Sequence, residues 1–132
     1  MNSRLPASLS LSFSGFARRG GVTDHHADGW GIAFFESEGE QPGRGIRHFV
    51  DKESAATSPL AHMLRSFPIK SHNVIAHVRK ATMGAITLEN AHPFVRELWG
   101  RYWVFAHNGD LKNYAPTLHG NFRPVGDTDS EL

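Results

Sequence analysis

The stretch that most restricts the possible folds is RYWVFAHNGDL, residues 101–111, where an apolar run ends abruptly in polar residues and glycine. The aromatic and aliphatic residues from Tyr102 to Ala106 predict a buried strand. Gly109 permits a sharp bend that leaves a backbone N–H pointing outward, and the Asn108 side-chain amide lies beside it. Two fixed donors at the end of a strand are what an oxyanion hole requires. Asn-Gly after a strand is also a common hairpin turn, and on this stretch alone the turn is the better interpretation.

The remaining sequence patterns predict two helices and three further strands. These are a helix over 13–19, strands over 29–35 and 45–50 joined by a surface turn over 36–45, a helix over 58–68, a strand entering a turn over 73–84, and a loop over 86–94. Ser58 is a suitable cap for the second helix, and Pro59 suits its first position. Gly29 and Gly31, at the start of a core strand, indicate the close approach of another backbone or a ligand.

Composition restricts the class of protein. A chain of 132 residues with 39% apolar and 20% charged residues suits one modest globular domain. The net charge of +1 does not indicate nucleic acid or an anionic membrane as a partner. No apolar run has the length of a membrane span and no signal peptide is visible, so we expect a cytoplasmic location by default. The chain contains no Cys, which excludes disulfides and a thiolate nucleophile within the sequence as written.

Four polar stretches end strands or begin helices and are candidates for one site: DGWGI, AHVRKAT, AHNGD and GDTDSE. Arg79 interrupts an apolar strand, and a guanidinium is the group that grips a carboxylate with two hydrogen bonds. Asp129 stands at a predicted helix start and is a candidate acceptor for a ligand ammonium. Together they describe an amino-acid pocket, although each residue alone is more often a salt bridge or a cap.

The order of RGG, DGWGI, AHVRKAT, NAHPF, HNGDLKNY and TDSE resembles the class II glutamine amidotransferases, most closely a stand-alone bacterial subgroup. The resemblance implies an α+β fold: the αββα N-terminal-nucleophile-hydrolase sandwich, with two antiparallel sheets face to face and helices outside. It covers residues 1–132 as one partial domain. In this family an N-terminal Cys attacks the glutamine side-chain amide and forms a glutamyl thioester, with its own α-amino group as the base. Ammonia leaves, and water then releases glutamate.

The resemblance also implies a role for each matching residue. Arg79 would bind the substrate carboxylate with help from Thr82, Asn108 and Gly109 would form the oxyanion hole, Asp129 would bind the ammonium, and Arg19 is a candidate for orienting the nucleophile. Met83 stands where relatives often carry His, so one substrate contact is expected to be absent. Glutamine is the implied small-molecule substrate. We expect no cofactor or metal, and the composition indicates neither nucleic acid nor a membrane as a partner. The ammonia acceptor is not implied.

The two ends of the sequence depart from the family pattern. Met1 to Ser3 aligns several residues inside the family's usual start, so we expect the nucleophilic Cys to be absent rather than substituted. Thr128 and Glu131 match a capping box, which predicts a helix start just before the last residue. We therefore expect a fragment, incomplete at both ends, that does not hydrolyse glutamine. Open sheet edges should also prevent a sharp cooperative thermal transition.

Two alternatives remain open. A metal-dependent hydrolase would draw its ligands from a set of polar residues: His25, His26, Asp28, His77, His92 and His107. Their spacing fits no zinc template, and His77 and His107 are better interpreted as structural residues on inner strand faces, with His92-Pro93 fixing a loop beside the pocket. The second alternative is a non-catalytic domain of the same fold that binds an amino acid or a partner, and the missing Cys keeps this alternative open.

Overall fold

The computed structural model describes residues 1–22, 25–38, 41–121 and 123–132. In chain order the elements are β1 (Asn2–Ser8), α1 (Ser10–Arg19), β2 (Trp30–Glu38), β3 (Gln41–Asp51), α2 (Pro59–Ser66), β4 (Lys70–Val78), β5 (Phe94–Leu98) and β6 (Arg101–Phe105), with short 3-10 helices at Leu88–Asn90 and Asp129–Glu131. In the described part of the chain, neither α-helix has the length and apolar character needed to cross a membrane.

The strands form two antiparallel sheets. The larger sheet has the order β1-β4-β2-β3, and β5 pairs with β6 in a second sheet. Ile32 in the centre of β2 lies opposite Phe49 of β3 and Ala76 of β4. The predicted hairpin is therefore confirmed, but its turn is shorter than expected because both strands continue into it. Residues 39–40 of that turn lie outside the described residues.

The core lies between the larger sheet and the two α-helices. Alternate residues of β2, Trp30, Ile32 and Phe34, are almost completely buried on the face that the helices cover. Phe13 of α1 packs on Trp30 with ring centroids 5.7 Å apart. On the opposite face of the sheet, Val104 of β6 shares a cavity wall with residues of β2 and β4. The layers are thus helices, larger sheet and smaller sheet, which is the α+β arrangement of facing antiparallel sheets that was expected.

Local sequence signals account for both helices. The Ser58 hydroxyl accepts a hydrogen bond from the Ala61 N–H at 3.2 Å, so the predicted cap of α2 is confirmed. Helix α2 ends at Ser66, before Pro68, whose ring and missing N–H do not suit a helix interior. Helix α1 begins at Ser10, a few residues before the predicted start, and ends at the expected Arg19.

The prediction that β6 is buried is wrong. Tyr102, Trp103 and Phe105 are each about half exposed, at 47%, 51% and 52%. The physical reason is that β6 belongs to a two-stranded sheet, and no helix within the described ranges covers its outer face. An apolar run predicts a strand that is buried when other elements cover it. In the described part of the chain, too few elements pack on β6 to bury its side chains.

The predicted capping box is also wrong. Residues Asp129–Glu131 form one turn of 3-10 helix, and the Thr128 side chain makes no capping hydrogen bond. Its buried hydroxyl has no hydrogen-bond partner among the described residues. The Glu131 carboxylate instead accepts from the backbone N–H groups of Val125 and Gly126, at 3.1 and 2.7 Å. Glu131 therefore holds the preceding loop rather than capping a helix.

Candidate functional site

A cavity of about 200 Å³ lies where β4 and β6 end. Arg79 follows β4 directly, and Asn108 and Gly109 follow β6 after a short connection. The predicted site residues that line this cavity are Arg79, Thr82, Asn108, Gly109 and Asp129. Its other walls include Met83, Asp110, Thr128, Ser130 and the histidines His26, His77, His92 and His107. The fold thus brings together side chains as far apart in the sequence as His26 and Ser130.

Arg79 is a buried cation, with only 4% of its surface exposed. Its guanidinium donates to main-chain carbonyls of one loop: Nη1 to Ala85 at 2.9 Å, and Nη2 to Met83 at 2.8 Å and Gly84 at 3.2 Å. The ion pairs in the described part of the chain do not include Arg79. Carbonyl dipoles orient the guanidinium but do not neutralise it, so its charge remains available to an anionic ligand.

Asp129 faces the same cavity and is held by its neighbours. Its carboxylate accepts the Leu111 N–H at 2.5 Å and the Ser130 hydroxyl at 3.3 Å. Ser130 also lies 2.9 Å from Nδ1 of His107, so the segment that carries Asp129 is tied to the chain after β6. The carboxylate therefore has a defined position, and it is only half-buried, which leaves it accessible to a cation.

Asn108 and Gly109 are exposed at the cavity. Gly109 has φ of +136°, a backbone conformation that side-chain-bearing residues rarely adopt, so glycine is required for this bend. Within the described chain, neither the Asn108 side-chain amide nor the Gly109 N–H has a hydrogen-bond acceptor. Both donors are thus free for a ligand oxygen, as an oxyanion hole requires.

Thr82 and Arg19 differ in their relation to the cavity. The Thr82 hydroxyl donates to the Asp110 carboxylate at 2.6 Å and joins the loops that follow β4 and β6. Its proton is therefore engaged, and only its oxygen lone pairs and backbone remain for a ligand. Arg19, the exposed last residue of α1, does not line the cavity. Its suggested role in orienting a nucleophile remains a prediction.

Two histidines form one wall of the cavity. The rings of His77 and His92 lie 4.7 Å apart, and His92 is 4% exposed. The pKa of His92 is lowered from 6.5 to about 4, mainly by burial and in smaller part by the nearby His77 and Arg79. Burial likewise lowers the pKa of His77, so both imidazoles are neutral at pH 7. The sequence suggested His92 as a residue of a loop beside the pocket or as a candidate metal ligand. It did not predict the contact with His77, because the fold sets that distance.

Four of the candidate metal ligands, His26, His77, His92 and His107, line the cavity without forming a metal-binding group. No three His, Asp or Glu side chains in the described ranges lie close enough together to hold a metal ion. Asp28 instead accepts the Ala81 N–H at 2.9 Å, and its own N–H donates to the Arg79 carbonyl at 3.0 Å. Asp28 thus fixes the backbone on both sides of Lys80, a contribution to the site that sequence reasoning missed.

Comparisons with known proteins show the family to which the chain belongs. The family profile described as "Glutamine amidotransferases class-II" matches residues 1–132. A "Putative glutamine amidotransferase" of Haemophilus influenzae is 53% identical over 131 residues, which are 99% of this chain and 42% of that protein. The "Putative glutamine amidotransferase YafJ" of Escherichia coli K12 is 50% identical over 131 residues, 99% of this chain and 49% of that protein.

A solved structure is also similar to this chain. The crystal structure of a predicted glutamine amidotransferase from Pseudomonas aeruginosa PA01 matches with a TM-score of 0.62 and 43% identity. The match covers 98% of this chain and 49% of that one. The chain spans about half the length of the curated relatives it matches, at 42% and 49%. Profile, relatives and structure agree over nearly every residue, and the chain therefore belongs to the class II glutamine amidotransferases.

Proposed function

We propose that the cavity binds L-glutamine and that the chain is the glutamine-binding part of a glutaminase-type amidotransferase domain. Arg79 binds the α-carboxylate, and Asp129 binds the α-ammonium. Asn108 and the Gly109 N–H receive the side-chain carbonyl oxygen, with Thr82 contributing an acceptor or its backbone. The observation that carries this proposal is the common cavity, which combines a buried cation outside the ion pairs of the described chain, a fixed carboxylate and two free donors.

The reaction follows from this arrangement once a thiolate is supplied. The sulfur forms a bond to the side-chain carbonyl carbon, and the developing negative charge on oxygen is stabilised by Asn108 and Gly109. The C–N bond then breaks, and the nitrogen leaves as ammonia after receiving the proton that the terminal amine took from the thiol. Water hydrolyses the thioester to glutamate. Because the sequence contains no Cys, we expect the chain as printed to bind glutamine without hydrolysing it.

A binding experiment tests the two charged contacts separately. Calorimetric titration should give the highest affinity for L-glutamine, and lower affinities for 4-carbamoylbutanoate, which lacks the ammonium, and for 4-aminobutanamide, which lacks the carboxylate. Asp129→Asn keeps an oxygen that accepts the Leu111 N–H but removes the charge. This variant should lose about tenfold or more in glutamine affinity, because hydrogen bonds to charged groups contribute roughly 1.5–3 kcal/mol.

Glu36→Gln is the matched control, because it makes the same chemical change at an exposed carboxylate that pairs with Arg47. Its affinity for glutamine should equal that of the unmodified chain. Equal affinities for the three ligands, or equal losses in Asp129→Asn and Glu36→Gln, would rule out the proposed contacts.

The catalytic part of the proposal needs a separate assay. The chain as printed should release no ammonia from glutamine above background, and steady release would show that another group serves as nucleophile. The non-catalytic alternative, an amino-acid-binding domain of the same fold, also predicts no release. An added N-terminal segment that begins with Cys distinguishes the enzyme from the binding domain. β1 runs antiparallel to β4, with Asn2 opposite Asn73. Residues placed before Met1 in line with β1 would run beside β4 toward Val78 and the cavity.

With several lengths of this added segment, ammonia release at one length would support the enzyme. Glutamine binding without release at every length would support the binding domain.

A further inference from the structure

The loop that holds Arg79 is itself held by two residues outside the cavity wall. The Asn90 side-chain amide donates to the Ala85 carbonyl at 2.9 Å, the same carbonyl that accepts from Arg79. The Ala85 N–H donates to the Asp127 carboxylate at 3.1 Å. Neither Asn90 nor Asp127 lines the cavity, so any effect they have on a ligand is transmitted through other residues.

Asn90 and Asp127 also bind each other in both directions. The Asn90 Nδ2 donates to the Asp127 carboxylate at 2.5 Å, and the Asp127 N–H donates to the Asn90 side-chain oxygen at 3.0 Å. Asn90 is 1% exposed whereas Asp127 is an exposed residue, so these contacts are shielded from water mainly on the Asn90 side. We call this pair the Asn90–Asp127 clamp. It connects the loop that orients Arg79 to the segment that carries Asp129, two residues beyond Asp127.

Two glycines show how closely the connected segments approach. A Cβ on Gly84, which has φ of +77°, would lie 2.7 Å from the Asp127 carboxylate. A Cβ on Gly126 would lie only 2.0 Å from the Asn90 side-chain oxygen. Side chains at these positions would separate the two segments, so the clamp fixes their spacing tightly.

We propose that Asn90 and Asp127 are positioning residues that set the spacing between Arg79 and Asp129 and so select ligands carrying both an α-carboxylate and an α-ammonium. This inference rests on the proposed function, since it gives the clamp a role in glutamine recognition. A ligand bound through both charged ends requires the correct separation of its two contacts, whereas a ligand bound through one end does not.

The test compares L-glutamine with 4-carbamoylbutanoate, which makes the Arg79 contact but not the Asp129 contact. The measured quantity is the ratio of their dissociation constants, determined by calorimetry for the full chain. In the unmodified chain this ratio should favour glutamine by about tenfold or more. In Asp127→Ala the ratio should fall to within about twofold of unity, because glutamine alone loses an optimally placed second contact.

Asp127→Asn is the conservative control, because its side-chain oxygen remains able to accept from Ala85 and Asn90. It should retain most of the preference for glutamine. If Asp127→Ala does not fold, as judged by circular dichroism, Asn90→Ser breaks the same clamp from the other side and should lower the ratio in the same way.

The measured ratios distinguish a positioning role of the clamp from a purely stabilising role. A clamp that only stabilises the fold would weaken both ligands equally and leave the ratio unchanged, which would overturn this inference while preserving the proposed function. If the unmodified chain shows no preference for glutamine, the proposed Asp129 contact is wrong and the inference fails with it. Loss of the ratio in Asp127→Asn as well as Asp127→Ala would also contradict the positioning role, because the hydrogen bonds would then not be the cause.

Discussion

Replacing Gly31 with alanine should destabilise the chain strongly, because β2 passes unusually close to the loop that carries His92. An added Cβ would lie 2.3 Å from the His92 carbonyl oxygen, 2.8 Å from Val50 Cγ1 and 3.0 Å from the Phe49 carbonyl oxygen. Two of these three atoms are backbone oxygens that cannot rotate away, so the loop or β3 must move by about 1 Å. Overpacking of this kind costs about 3 kcal/mol, at the upper end of the usual range.

The assay is a urea titration followed by tryptophan fluorescence, since Trp30 adjoins Gly31 and is fully buried. A transition that open sheet edges broaden still has a midpoint, and with an m-value of about 2 kcal/mol/M a loss of about 3 kcal/mol lowers this midpoint by about 1.5 M. Gly45→Ala is the matched control, because it lies in the same hairpin with nothing within 4 Å of its added Cβ. It should be neutral or stabilising by up to about 1 kcal/mol, because alanine loses less conformational entropy on folding.

The reasoning would be refuted if Gly31→Ala and Gly45→Ala had the same midpoint, because the backbone of the His92 loop would then not contact β2 as described. A smaller midpoint shift with a lower affinity for glutamine would instead mean that the loop moves without unfolding. That outcome would still support the contact, since His92 lines the cavity.

Three further predictions concern pH, helix capping and ligand binding. Burial is the main cause that lowers the pKa of His92 from 6.5 to about 4, so His92 takes up a proton at a higher pH in the unfolded chain than in the folded chain. The free energy of unfolding should therefore be constant above about pH 6.5 and fall as the pH decreases toward 4. In urea titrations, His92→Asn should reduce this dependence of stability on pH. Ser58→Ala removes both the cap of α2 and a 2.5 Å hydrogen bond to Asp51, so it should cost about 1–2 kcal/mol, whereas exposed Ser66→Ala should change the urea midpoint little. Asn108→Ala should leave glutamine affinity within about threefold, because an oxyanion donor acts mainly on charge that develops during reaction, and a loss as large as that of Asp129→Asn would contradict this assignment.

Local patterns predicted most of the secondary structure because the relevant interactions connect residues close in sequence. Ser58, Pro59 and Pro68 define α2 through a cap, a favourable first position and a stop signal. The glycines near the start of β2 indicated a close approach, and Gly31 confirms it against the His92 carbonyl. The capping-box prediction failed because Glu131 accepts hydrogen bonds from the backbone of the preceding loop instead of capping a helix.

The composition of the cavity was partly predictable, because the motif order resembles a known family and carries Arg79, Asn108, Gly109 and Asp129 with it. How these residues are supported was not predictable. The guanidinium of Arg79 is held by carbonyls, which every residue has, so no side-chain pattern indicates them. The Asn90–Asp127 clamp joins residues 37 apart, and such a contact leaves no periodic signal in the sequence.

The amino-acid sequence alone indicated both α-helices and four of the six described strands, but not β1 or β5. It also gave the motif that follows β4 and β6 and the absence of Cys from the sequence as printed. The tertiary structure decided which of those motifs share a cavity, that the aromatic face of β6 remains exposed and that His77 and His92 stay neutral. The physical reason is that propensity and capping act over a few residues. Burial, charge compensation and pKa depend instead on neighbours that only the folded chain provides.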